Sequence, residues 1–195
     1  SLLVCDEPTS ALDVTTQFEV LRLLKEVITA RNTAALFVSH DLPVVAQIAT
    51  MIAVMQNGRV VEFGTTEDVL YRPVHPYTKE LIAACRELSL ESPASLSKDH
   101  MAGPSEPNPR ALLKVDIKSA GYGGATATSM GLKTLQDAHF GLERGKIVAV
   151  IGESGSGKTT LARVIAGLHR GHSSGSVFLD GKLLAPTDRE RSLED

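Results

Sequence analysis

The sequence has few cysteines and no excess of positive charge, and each shortage argues against a class of protein. Two cysteines in 195 residues, Cys5 and Cys85, are too few for a disulfide framework, a four-cysteine zinc site or a four-cysteine iron–sulfur site. The formal net charge is −3 and no basic cluster stands out, so a nucleic-acid-binding surface is not expected.

Long apolar runs and an N-terminal signal peptide are also missing. No apolar run approaches the roughly 20 residues that a membrane-spanning helix needs. The hydrophobic content of 43% is nevertheless enough for a packed core, in one domain or in two small ones. Because the first residues already have the pattern of a buried strand, we expect the chain to be a fragment of a longer protein.

Apolar runs and turn signals predict alternating strands and helices in the first 88 residues. Residues 1–5 and 34–39 are short apolar runs typical of buried strands. Between them, apolar residues at helical spacing, including Phe18, Leu21 and Ile28, predict a helix that Asp13 can cap. A hairpin is expected around Asn57-Gly58, with two helices after it.

The character of the sequence changes at residue 89. Residues 89–110 contain four prolines and five serines, with no aromatic or β-branched residue, and this composition predicts a flexible linker. From residue 111 the ordered pattern returns. It predicts strands at 112–120, 135–142 and 146–151, a helix at 159–168 and a hairpin around Asp180-Gly181.

Residues 152–160, GESGSGKTT, satisfy the phosphate-loop pattern G-x-x-x-x-G-K-[ST] between an apolar strand and a helix. Glycines let backbone N–H groups face the phosphates, and the helix turns its positive end towards the same anion. Lys158 would reach the β- and γ-phosphates and Thr159 would coordinate Mg²⁺. The alternative is a glycine-rich turn without a ligand. The predicted nucleotide-binding residues are Gly152, Glu153, Ser154, Gly155, Ser156, Gly157, Lys158, Thr159 and Thr160.

A second chemical pattern, LLVCDEP at residues 2–8, is an apolar strand that ends in two carboxylates. At the C-terminal edge of a buried parallel strand, Asp6 would hold the metal through water. Glu7, one residue further, would polarise the attacking water as a general base. Apolar residues followed by Asp-Glu also occur in surface loops, but the sequence PTSALD that comes next disfavours that interpretation.

Together these stretches resemble the ATP-binding-cassette (ABC) ATPases. LLVCDEPTSALD resembles their Walker B strand and D-loop, and FVSHDL resembles their switch-histidine segment. The resemblance implies a P-loop NTPase core, an α/β fold with a parallel sheet and antiparallel hairpins, with ATP and Mg²⁺ as cofactors. It also implies that His40 contacts the γ-phosphate and that Tyr122 stacks on adenine, although an isolated tyrosine is a weak signal. The implied dimer-interface residues are Ser10, Ala11, Leu12 and Asp13.

The segment YRPVHPYTKELIAAC, residues 71–85, resembles the C-terminal extension of oligopeptide and dipeptide importer ATPases. We call it the extension. The resemblance implies transmembrane permease subunits, a solute-binding protein reached through them and a second ABC cassette as partners. It places the protein in the cytoplasm, peripheral on the inner face of the cell membrane.

In the ABC family the glycine loop precedes the acidic strand, whereas here the order is inverted and no LSGGQ-like sequence occurs. The inversion predicts the middle of a tandem protein. Residues 1–88 would end one cassette, 89–110 would be the linker and 111–195 would begin a second, with the helical subdomain absent. Such a chain would bind nucleotide weakly and hydrolyse little.

Other interpretations remain open. The two halves could instead dock as a circularly permuted core in which Asp6 and Lys158 meet at one phosphate site. The rival functions are a non-hydrolysing nucleotide-binding module and an ABC-type ATPase that acts in DNA repair or translation.

Overall fold

The structure is a computed structural model that describes residues 1–10, 12–88, 111–122 and 132–184. The predicted linker, residues 89–110, lies outside the described residues. In chain order the elements are β1 (Leu2–Asp6), α1 (Val14–Ala30), β2 (Ala34–Val38), α2 (Leu42–Ile48), β3 (Met51–Gln56), β4 (Arg59–Thr65), α3 (Thr66–Tyr71), α4 (Pro76–Leu88), β5 (Leu113–Tyr122), β6 (Leu132–Leu142), β7 (Ile147–Ile151), α5 (Lys158–Ala166), β8 (His172–Leu179) and β9 (Lys182–Leu183).

Strands from both halves of the chain form one sheet of order β1-β2-β7-β3-β4, parallel except for β4. The later strand β7 thus lies between two strands of the first half. Thr50 secures this insertion, because its hydroxyl donates to the Ile147 carbonyl at 2.9 Å and accepts from the Ile147 N–H at 3.0 Å. The halves are therefore docked in a shared core, while their assignment to two different cassettes stays a prediction.

The central strands β2 and β7 are buried along their whole length. One face of the sheet, which includes Phe37 and Ile147, packs on α1 and α2. The other face, which includes Leu36 and Val150, packs on α5 and the second sheet. Strands covered on both faces need apolar side chains at every position, which explains why the sequence runs there are continuous rather than alternating.

Helix α1 begins at its predicted cap, since the Asp13 carboxylate accepts from the Thr16 N–H at 3.0 Å. The apolar residues at helical spacing lie on a helix as predicted; Leu21 and Ile28 of that set are buried, whereas Phe18 is 51% exposed. The helix packs on β2 and α2 through its turns from Leu21 onward, and the ring of Phe18 lies before that contact.

The second sheet, of order β6-β5-β8-β9, is antiparallel. Leu113, Val115 and Ile117 alternate inward along β5 and join the core beneath α5. The predicted hairpin around Asp180-Gly181 is confirmed between β8 and β9. A parallel sheet joined to antiparallel strands confirms the α/β fold class.

Helices α3 and α4 pack beside α2 on the same face of the parallel sheet, over β3 and the end of β7. Tyr77 and Ile82 of α4 pack in the same cluster as Ile151, the last residue of β7. The extension therefore lies beside the strand end from which the glycine loop starts. None of the helices in the described ranges has an apolar stretch of the length that crossing a bilayer requires.

Candidate nucleotide-binding site

The carboxyl ends of β1, β2 and β7 meet at one edge of the parallel sheet. Asp6 lies opposite Val38, and Val38 lies opposite Val150. Ligands of open α/β sheets bind outside this edge. A cleft of about 490 Å³ opens there between the two halves of the chain. Its lining residues are Glu7, His40, Thr134, Ser154, Gly155, Gly157, Lys158, Thr159 and Thr160.

The first residue of the glycine loop after β7 is at a position where only glycine fits. Gly152 has φ +150°, and a Cβ built on it would lie 2.1 Å from the Met55 carbonyl oxygen of β3. The loop then turns at Glu153, whose carbonyl accepts from the Ser156 N–H at 3.2 Å, and enters α5 at Gly157. This path turns the N-terminal end of α5, a nine-residue helix, towards the cleft.

Lys158 places a buried cation under the loop. Its side chain is only 6% exposed, and its ammonium donates to the carbonyls of Gly152 at 2.9 Å and Glu153 at 2.8 Å. Loss of hydration lowers the pKa of Lys158, while the carboxylates of Glu7 and Asp6 oppose that shift. A desolvated cation held by neutral carbonyls is suited to an anionic ligand.

We expect Lys158 to make the free energy of unfolding rise with pH. Its folded-state pKa lies below the usual 10.5, so between these values the unfolded chain binds a proton that the folded chain has lost. Urea unfolding at about pH 7 and about pH 10 measures the effect. Wild type should gain stability relative to Lys158→Met as the pH rises. Parallel pH responses in the two proteins would contradict the prediction.

The two motifs meet at Asp6 and Thr159. The Thr159 hydroxyl donates to Asp6 Oδ1 at 3.2 Å, across 153 positions of sequence. The structure thus brings together the predicted metal-binding residues from opposite ends of the chain. Asp6 also lies close enough to Lys158 to raise its pKa, as the docked alternative requires.

Glu7 and His40 form a pair in the lining of the cleft. His40 Nδ1 lies 3.2 Å from Glu7 Oε1, and the two side chains are 63% and 39% exposed, respectively. Glu7 has φ +47°, and its N–H donates to the Val38 carbonyl at the end of the neighbouring strand β2. Because the pair is exposed, its attraction contributes little to stability.

The predicted D-loop is a tight local turn. The Ser10 hydroxyl and N–H both donate to the Glu7 carbonyl, at 3.1 Å and 3.3 Å. Hydrogen bonds from Thr16 keep the pKa of Asp13 below its usual value. Leu12 is 37% exposed, and Ala11 lies outside the described residues. These contacts explain the shape of the turn, and the dimer-interface role stays a prediction.

Tyr122 lies at the end of β5, outside the set of described residues that line the cleft. Its ring meets His169 edge-on with centroids 4.9 Å apart, and its hydroxyl accepts from Arg163 of α5 at 3.4 Å. The ring is 42% exposed. The structure therefore places Tyr122 beside the helix of the glycine loop, and its predicted stacking on adenine stays a prediction.

Three residues of this region were not identified from the sequence. The Gly58 N–H donates to the Ser156 carbonyl at 3.0 Å, and the Tyr77 hydroxyl accepts from the Glu153 N–H at 3.0 Å. Thr134 lines the cleft. From the sequence, Asn57-Gly58 was identified only as a turn and Tyr77 only as part of the extension. Their contacts to the loop involve its backbone atoms, which every residue has, so no sequence motif marks them.

Comparison with known proteins agrees with this geometry. Residues 135–194 match the family described as ABC transporter. The chain is 33% identical over 196 residues to the glutathione import ATP-binding protein GsiA of Shigella dysenteriae serotype 1 (strain Sd197). It is 32% identical over the same length to the protein of that name from Escherichia coli (strain K12). Each alignment covers 91% of this chain and 32% of the relative, so the chain spans about a third of the length of these curated relatives. On these matches and the site geometry, residues 135–194 resemble an ABC transporter domain, and the chain is similar over most of its length to ATP-binding proteins of that kind.

Proposed function

We propose that the cleft binds ATP with Mg²⁺. The observation that supports this most directly is the hydrogen bond between Thr159 and Asp6, because it unites the phosphate loop with the acidic strand at one place. Lys158 supplies a positive charge for the β- and γ-phosphates, and the N-terminus of α5 supplies backbone donors.

The residues present suit a magnesium nucleotide. Mg²⁺ is commonly held by one or two protein oxygens together with substrate phosphates and water. Asp6 and Thr159 offer such oxygens side by side. In the part of the chain that the structure describes, no cluster of three His, Cys, Asp or Glu residues could hold a metal without such help. Bound Mg²⁺ would neutralise charge on the phosphates.

The remaining roles are those that the resemblance implies; of their residues, Glu7 and His40 line the cleft. Glu7 would polarise the attacking water and His40, 3.2 Å away, would contact the γ-phosphate. Tyr122 would stack on adenine. The turn with Ser10, Leu12 and Asp13, together with Ala11, would face a second cassette.

We further propose that the full-length protein is the ATPase subunit of an ABC importer for peptides or related small solutes. It would act at the inner face of the cell membrane with permease subunits and a solute-binding protein. The name of the relatives, which refers to glutathione import, supports a small peptide-like cargo, since glutathione is a tripeptide. Residues 1–88 and 111–195 would belong to successive cassettes of that protein. A non-hydrolysing module is the rival, and phosphate release by the full-length protein distinguishes the two.

Replacing Asp6 with asparagine tests the shared site. Titration with a fluorescent ATP analogue, with Mg²⁺ or with EDTA, should show tighter binding with Mg²⁺ in the wild-type chain. In Asp6→Asn this enhancement should fall about tenfold, since the amide is a poorer metal partner. Asp180→Asn is the matched control, because Asp180 lies in the exposed β8–β9 turn and pairs with Arg144. Unchanged Mg²⁺ dependence in Asp6→Asn would mean that the two motifs do not act together.

A further inference from the structure

Tyr77 of the extension contacts the glycine loop through its side chain. Its ring is 6% exposed and packs with Ile82 and Ile151, so its position is fixed on the end of β7. Its hydroxyl oxygen accepts a hydrogen bond from the Glu153 N–H at 3.0 Å. The extension thus reaches the first turn of the loop that is proposed to hold the phosphates.

Backbone contacts fix the approach of Tyr77 to the loop. The Glu62 carboxylate of β4 accepts from the Val74 N–H at 2.8 Å and from the His75 N–H at 3.0 Å. The Tyr77 N–H then donates to His75 Nδ1 at 3.3 Å. These bonds hold the residues just before α4 and in its first turn against the sheet. The backbone that carries Tyr77 is therefore fixed where its side chain reaches the loop.

The Glu153 residue is held from two sides. Its N–H meets the Tyr77 hydroxyl, while its carbonyl accepts from the Lys158 ammonium at 2.8 Å. Burial raises the pKa of Tyr77, so the phenol stays neutral when the pH is near 7. The Gly152 carbonyl, which shares its peptide unit with the Glu153 N–H, also accepts from Lys158 at 2.9 Å, so a shift of that peptide would disturb the lysine that is proposed to bind the phosphates.

We propose that Tyr77 is a positioning residue of the nucleotide site, whose hydroxyl fixes the first turn of the glycine loop and so links the extension to phosphate binding. The link to phosphate binding rests on the proposed function. The fixing of the loop by the Tyr77 hydroxyl does not, because it is a property of the chain without nucleotide.

Tyr77→Phe tests both halves because it keeps the buried ring and removes only the hydroxyl. Amide hydrogen exchange at Glu153 should become about fivefold faster, while the amides of α4 keep their rates. Affinity for the fluorescent ATP analogue should fall by about the same factor. Tyr71→Phe is the matched control, since Tyr71 is 46% exposed, and it should leave both measurements unchanged.

The outcomes separate the two proposals. Unchanged exchange at Glu153, or faster exchange spread evenly over α4 and β3, would overturn the positioning role. Faster exchange at Glu153 with undiminished nucleotide affinity would overturn the link to phosphate binding. If the wild-type chain binds no nucleotide, the proposed function fails and the link fails with it, while exchange at Glu153 still decides whether the hydroxyl holds the loop.

Discussion

Replacing Lys158 with alanine is expected to weaken binding of the magnesium nucleotide about 100-fold, from the loss of charge-assisted hydrogen bonds to phosphate. The expected loss is large because Lys158 is only 6% exposed, so solvent screens its attraction for an anion weakly. In the structure its donors already point at the carbonyls of Gly152 and Glu153, within the loop itself. Titration with a fluorescent ATP analogue measures the change.

Lys182→Ala provides the control for this experiment. Lys182 is an exposed residue of β9 and lies outside the cleft, so its loss removes the same charge without touching the site. Comparable weakening in both variants would show that general electrostatic attraction, rather than the buried ammonium, holds the nucleotide.

Replacing Gly152 with alanine is expected to destabilise the fold by about 3 kcal/mol or more. The new Cβ would lie 2.1 Å from the Met55 carbonyl, a backbone atom of a central strand that cannot rotate away. The φ of +150° is in addition poorly tolerated by any side chain. Because Met55 and Gly152 come from different halves of the chain, relief of the clash has to push the halves apart. Urea denaturation measures the loss.

Gly155→Ala separates the clash from the backbone strain. Gly155 has φ +81°, yet a Cβ there would find no atom within 4 Å. Only the cost of the left-handed conformation remains, about 1–2 kcal/mol. Equal destabilisation by the two substitutions would contradict the argument that contact with Met55 dominates.

Much of the site could be predicted because its signals are local in sequence. The strand before Asp6 and the strand before Gly152 are apolar runs, and the functional side chains follow directly after them. Parallel strands bring their carboxyl ends to one edge, so such residues converge once the strands are neighbours. The contact of His40 with Glu7 follows from the same rule, since β1 and β2 are adjacent.

The placement of β7 could not be predicted in the same way. The continuous apolar residues of β7 are typical of any central strand of a parallel sheet. They do not specify which strands lie beside β7, or whether those strands belong to this chain. The exposure of Phe18 depends on where along α1 the contact with β2 and α2 begins, which helical periodicity does not specify. The contact of Tyr77 with the glycine loop could not be predicted because its hydroxyl bonds to the backbone N–H of Glu153, and a residue of any type except proline would offer that N–H.

The position of β7 has a consequence for the order of folding. Until residues 147–151 are synthesised, β2 and β3 have no strand between them, and their facing edges keep unpaired N–H and C=O groups. The hydrogen bond from the Thr50 hydroxyl likewise cannot form until Ile147, 97 positions later, has been synthesised. The central ladder of the sheet therefore closes late and through long-range contacts, which slow folding and prolong exposure of open edges to other chains. Residues 1–88 made without the rest of the chain would keep those edges open and would be prone to self-association.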